Sequence, residues 1–136
     1  MDLLNLEAPD TIDIHLVHPE IGHLYADKER TQPVIITVHS PGSEPALEYD
    51  KKQQKVMSKI IAKKGMKGIY KIPFEEQEEN NINRLVALTA DVKHMEFNSQ
   101  PVTVDNVRDI YKNPKLGWVR NQVSSKISSW DNYLGE

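Results

Sequence analysis

Val34-Ile35-Ile36-Thr37-Val38-His39, closed by Ser40-Pro41-Gly42-Ser43, is the stretch on which the fold turns. Its β-branched side chains suit a pleated, half-buried surface, and the proline–glycine pair stops the run. Upstream, Ile12-Asp13-Ile14-His15-Leu16-Val17-His18 alternates apolar and polar residues apart from Val17. That period of two turns Ile12, Ile14 and Leu16 to one face, toward a core. Pro19 ends this strand, because proline has no amide to donate to a ladder. A polar connection through Gly22 and Ala26-Asp27-Lys28-Glu29-Arg30 joins the two runs, so they are expected to pair antiparallel. Residues 1–10 lack a periodic apolar pattern and read as a partly ordered tail.

Beyond Ser43 the period changes. Pro45 suits a first helical turn, Ser43 or Glu44 can cap it, and Tyr49, Val56, Met57, Ile60 and Ile61 recur at helical spacing. Gly65 and Gly68 end that helix, and Ile69-Tyr70-Lys71-Ile72 is ambiguous. A second helix is expected from Pro73, with Glu75, Glu76, Glu78 and Glu79 in its first turns, where the backbone dipole favours negative charge. Its apolar stripe is Ile82, Leu85, Val86, Leu88, Thr89 and Val92, which carries the helix to Lys93 or His94. Glu96-Phe97, Asn98-Ser99-Gln100 and Pro101-Val102 spell a tight hairpin-like turn. Thr103 caps a short helix through Val107, Ile110 and Tyr111, and Pro114 breaks it. Leu116, Val119, Val123, Ile127 and Trp130 then form a narrow seam at spacings of 3 and 4, which something must cover. The pattern predicts an α+β fold: one domain over 1–136, a small N-terminal antiparallel β element with an acidic tail in 1–43, and a mainly helical bundle in 44–136.

Composition narrows the function. Of 136 residues, 38% are hydrophobic and 27% charged, a balance that suits a folded chain rather than a disordered one. The absence of cysteine excludes disulfides, thiolate catalysis and cysteine-type zinc sites. No apolar run approaches the roughly 18 residues of a membrane span, and Met1-Asp2-Leu3-Leu4-Asn5-Leu6-Glu7 is too acidic and short for a signal peptide. The net charge of −3 is unevenly spread: residues 1–43 hold 2 basic and 7 acidic groups, residues 44–71 hold 8 and 3, and residues 72–136 hold 7 and 10. The middle block is therefore the candidate electrostatic footprint for nucleic acid. It contains no arginine, the usual reader of phosphate and guanine edges, so a solvated face pairing with the glutamates of the next helix is the simpler reading.

Other chemistries fare worse. His15 and His18 point to opposite faces of a strand, and His23, His39 and His94 have no ligand at a chelating interval, so no metal is expected. The acidic run at Glu75 lacks the alternation and glycine turn of a calcium loop. No glycine-rich phosphate loop or nucleophile elbow occurs, and Ser124, Ser125, Ser128 and Ser129 lie beside no base. No cofactor or catalytic residue is expected. Trp118 and Trp130 draw notice instead, since tryptophan is enriched at binding hot spots.

The order of these pieces resembles the phage tail assembly chaperone family of siphophage and prophage tails. Ile35-Ile36-Thr37-Val38-His39-Ser40-Pro41-Gly42-Ser43 before a basic helix is similar to that family's strand, loop and charged helix. Ala90-Asp91-Val92 resembles the segment before their turn, and Phe97-Asn98-Ser99-Gln100-Pro101-Val102 resembles the turn, where a glycine often replaces Ser99. Val104-Asp105-Asn106-Val107-Arg108-Asp109-Ile110-Tyr111-Lys112-Asn113-Pro114 and Trp118-Val119-Arg120-Asn121-Gln122-Val123 match most closely, with Tyr133-Leu134 where relatives close on phenylalanine-leucine. Relatives often carry tryptophan where this chain has His94-Met95.

The resemblance implies a non-enzymatic assembly factor in the host bacterial cytoplasm. It would bind the tape measure protein, keep that long apolar-faced chain soluble and help recruit tail tube protein, without being kept in the virion. Homo-oligomers are compatible with that role, and no nucleic acid or membrane partner is expected. On this reading Trp118, Val119, Gln122 and Trp130 sit at or beside the partner surface, with Tyr111 and Phe97 supporting the terminal helices. The rivals are a tail or head–tail completion protein retained in the particle and a DNA-anchoring role for the lysine helix.

Overall fold

The computed structural model describes residues 2–65 and 74–128. Strand β1 (Thr11–His15) pairs antiparallel with β4 (Ile35–His39), placing Ile14 opposite Ile36 as alternation requires. Ile14 and Leu16 are buried and Ile12 is half-buried, on the expected face. The expected single strand over 12–18 is interrupted, however. Leu16 leaves the ladder, its amide donating to Val34 O at 3.1 Å, and Val17–His18 (β2) pairs instead with Gly22–His23 (β3).

The helix expected to reach Lys93 stops early. After α1 (Glu44–Lys64), α2 runs only over Phe74–Ala87, and Thr89–Lys93 is a strand, β5, on the other edge of β4. The stripe that suggested a helix continued by coincidence, since Thr89 and Val92 are three apart. What prevails is pairing. β4 has two ladder edges, Ile36 and Val38 on it are fully buried, and β5 occupies the edge that β1 leaves open. A register shift at Thr37/Val38 brings Val38 opposite Thr89. Locally, the Thr89 hydroxyl donates to Leu85 O at 2.7 Å, satisfying a carbonyl at the helix end.

The hairpin read at 96–102 forms as β6 (Glu96–Phe97) and β7 (Gln100–Pro101), with Asn98 at φ 54° and Ser99 at φ 64°. Two successive left-handed residues make a primed turn, whose twist matches the strands it joins. Thr103 opens a turn rather than capping the helix: its O accepts from Val107 N at 2.9 Å, Asn106 Oδ1 accepts from its N at 2.7 Å, and α3 (Arg108–Lys112) starts only after Val107, which stands at the N-cap position without a side-chain bond. Pro114 opens a single 3-10 turn, Pro114–Leu116, before α4 (Gly117–Ile127). Ser43 stands at the start of α1 as expected, but its hydroxyl donates to Ser40 O at 2.7 Å rather than accepting from the helix.

The fold is α+β as expected, but the sheet is not confined to the N-terminal part: β5 joins β1 and β4 after α2, and the β6–β7 hairpin also falls within 44–136. The core lies between the sheet and α2–α4, around Leu16, Ile36, Val38, Val107, Tyr111, Val123 and Ile127. The seam of α4 is thus internal: Val119, Val123 and Ile127 are buried and Leu116 half-buried. Helix α1 is different. Among its described residues only Ala46 is buried, and Leu47, Val56, Met57 and Ile61 stand in solvent. Its lysines reach none of the α2 glutamates among the described residues; Glu78 pairs with Arg120 of α4 at 2.9 Å instead. The ambiguous stretch Ile69–Ile72, together with Trp130 and Tyr133-Leu134, lies outside the described residues. No described helix is long and apolar enough to cross a membrane.

Candidate functional site

An apolar groove of about 420 Å³ opens between the β6–β7 hairpin and the start of α4. Leu16, Leu24 and Val34 come from the N-terminal β region, Met95 and Phe97 from the hairpin, and Ile110, Leu116, Trp118 and Val119 from the terminal helices. His94, Glu96, Asn113 and Lys115 complete the lining with polar groups. Such a chamber, apolar within and polar in a few places, is the usual form of a site that takes an apolar group in a fixed orientation.

Each wall has a local cause. The primed turn at Asn98-Ser99 folds the hairpin back on itself, and Val102 N donates to Met95 O at 2.9 Å, which fixes Met95 and Phe97 beside one another. The 3-10 turn after Asn113 sets the direction of α4, with Asn113 Oδ1 accepting from Lys115 N at 2.9 Å. Trp118 is half-buried, and the His18 ring meets it edge-on, with centroids 5.0 Å apart and an interplanar angle of 72°. His18 is itself held: its Nδ1 accepts from Glu20 N at 3.1 Å and from Ile21 N at 3.3 Å. One helical turn on, the Gln122 amide clips the backbone of Val17, accepting from its N–H at 3.0 Å and donating to its carbonyl. The β2–β3 flap and α4 are therefore joined on the side of the groove where Trp118 stands.

The residues expected to form the partner surface divide accordingly. Phe97, Trp118 and Val119 line the same groove. Val119 is buried and serves as its wall, so a partner gains little direct access to it. Gln122 acts as a clip rather than a free contact, because both ends of its amide are engaged with Val17. Tyr111 is no surface residue: it is 1% exposed, with its hydroxyl 2.7 Å from Thr89 Oγ1. Trp130 lies outside the described residues. The seam of α4 is a core stripe, and the exposed apolar ground lies beside it at Trp118. Leu24, Val34 and Met95 were missed as site residues, since none belongs to a periodic run that marks a surface; Leu16 had been read only as core.

Burial pushes the Tyr111 hydroxyl up to about 12, and the hydrogen bond from the Thr31 hydroxyl holds the Asp27 carboxyl below its ordinary value. Neither group faces the groove. No cluster of three or more metal-ligating side chains occurs among the described residues. The arrangement offers an apolar receptacle, which suits recognition of another molecule. Comparison with known proteins finds no matching family model, curated protein or solved structure.

Proposed function

We propose that this chain is a phage tail assembly chaperone, which binds the tape measure protein and helps recruit tail tube subunits around it. The observation that carries this reading is the groove gathering Phe97, from the turn that resembles the chaperone family's, with Trp118 and Val119, from the stretch that resembles it most closely. A tape measure exposes long apolar stripes until the tube encloses it, and exposed stripes aggregate. A groove that takes apolar side chains from one face of a helix shields them by a recurring recognition mode. Contact at a single small groove is modest, so each copy exchanges readily, while many copies along one chain give retention. The work requires no covalent step and no cofactor, and its place is the cytoplasm of the host bacterium.

Co-purification with the cognate tape measure protein tests this. The wild-type chain is expected to retain it, and Trp118→Ala with Phe97→Ala to lose it while keeping the wild-type circular dichroism. Absence of binding by the wild type, or equal binding by the folded double variant, overturns the reading. Mass spectrometry of purified virions supplies a second check: abundant protein in the particle identifies a structural tail component instead.

A further inference from the structure

A second recess lies between α2 and α4, apart from the groove. It has a volume of about 180 Å³ and is lined by Asn81, Arg84 and Leu85 of α2 and by Arg120, Asn121 and Ser124 of α4. It shares no lining residue with the groove. Residues three and four apart share one face of a helix, so Asn81, Arg84 and Leu85 form one wall, and Arg120 and Ser124 form the other with Asn121 beside them. Leu85 is buried, and the rest of the lining is polar. It holds two guanidiniums, two amides and a hydroxyl, and no carboxylate. Arg120 is held from outside: Glu78, which does not line the recess, accepts from its Nη1 at 2.9 Å and from its Nη2 at 3.2 Å. A guanidinium carries five N–H donors, so part of Arg120's set remains for the recess. Arg84 is half-buried and closes no ion pair among the described residues. Its place in the last turn of α2 suits its charge to the backbone dipole, but that leaves its fork of donors without an acceptor among the described residues.

The lining selects its occupant by size, charge and donor count. The recess is smaller than the roughly 300–1,000 Å³ of pockets that enclose whole organic ligands, so it admits one small group. Two cations and no carboxylate require that group to be an anion. A carboxylate presents two oxygens, and a single guanidinium fork satisfies both, as Arg120 does for Glu78. Here donors converge from both helices, and a terminal phosphate, with three acceptor oxygens or more, engages both walls at once. Arginine supplies the charge on each wall, and its planar fork matches phosphate where a lysine offers only a point charge. A duplex backbone fits poorly, because each of its phosphates is a diester with two oxygens tied into the chain. We infer that the recess between α2 and α4 binds one phosphate group, free or as a terminal monoester, with Arg84 and Arg120 as counter-charges and Asn81, Asn121 and Ser124 as further donors. This goes beyond the chaperone reading and does not rest on it.

NMR titration of the isotope-labelled full-length chain tests the inference. Inorganic phosphate, set against chloride and acetate at matched ionic strength, is expected to shift the signals of Asn81, Arg84, Arg120, Asn121 and Ser124 to saturation and to leave the Trp118 indole at the groove unmoved. A phosphoserine peptide forms a second arm. Tighter binding than inorganic phosphate at the same residues identifies a monoester as the ligand, and weaker binding identifies the free ion; either supports the inference. Arg84→Gln is expected to weaken phosphate about tenfold, and Arg84→Lys to restore part of the loss. Asn121→Asp, at an exposed position, places a carboxylate in the lining and is expected to abolish binding. Circular dichroism confirms that each variant is folded. The inference is overturned if phosphate at tens of millimolar moves none of these signals, if chloride or acetate moves them equally, or if Arg84→Gln binds phosphate as tightly as the wild type.

Discussion

Replacing Thr89 by valine should cost more stability than replacing its partner Tyr111 by phenylalanine, although each change deletes one hydroxyl. The Thr89 hydroxyl has a single proton, which is donated to Leu85 O at 2.7 Å. Tyr111, whose oxygen lies 2.7 Å from Thr89 Oγ1, must therefore be the donor of the second bond. Tyr111→Phe removes that donor and leaves Thr89 still bonded to Leu85, a loss of about 0.5–1.5 kcal/mol. Thr89→Val keeps the shape but strands the Tyr111 O–H at a position 1% exposed, and leaving a buried donor unmade costs about 1–3 kcal/mol. The double variant removes the stranded group, so it should be more stable than the sum of the single losses implies. Urea denaturation at constant m reads all three. A Tyr111→Phe loss equal to or larger than that of Thr89→Val, or strict additivity, would refute the assigned direction of the bonds. The same pair predicts an alkaline limb. The Tyr111 hydroxyl is raised from 10.0 to about 12 by burial, so its contribution is complete below pH 10 and is lost as pH rises toward 12, by up to about 2.7 kcal/mol. In Tyr111→Phe this part of the alkaline loss should vanish.

Ser99→Gly should stabilise the chain by about 1 kcal/mol, because Ser99 holds φ 64° in the hairpin turn and glycine bears no Cβ penalty there; an unchanged or lower melting temperature contradicts that. Val123→Ala should cost about 2 kcal/mol through a cavity at a fully buried site, whereas a surface role for the α4 seam predicts almost no loss of stability. Gln122→Ala should release the Val17 clip and speed amide exchange in the β2–β3 flap; unchanged exchange there would show that the flap is held by other contacts.

Much of this arrangement is legible from local residue chemistry. The alternation at Ile12–Leu16 and the β-branched run at Val34–Val38 specify a strand pair, and Asn98-Ser99 specifies a turn, because each signal resides in the residues that form the element. The end of α2 is not legible in that way. Thr89 and Val92 satisfy a helical stripe and a strand equally well, and the choice falls to the open edge of β4, far away in sequence. The site divides similarly. Trp118 and Phe97 stand out by residue type, but their groove also needs Leu24 and Val34, which tertiary packing brings to it. Val119 is expected at a partner surface and is instead a buried wall, because an amphipathic stripe carries no record of what covers it. Here the sheet and α3 do.

The chain has two tryptophans, and a Trp130→Phe variant leaves Trp118 as the sole reporter at the groove. Its emission should shift to the blue and lose quenching by iodide when the cognate tape measure protein is added, as an apolar side chain fills the space beside the indole. Tape measure binding with no change at Trp118 would place the contact elsewhere and contradict the assignment of the groove.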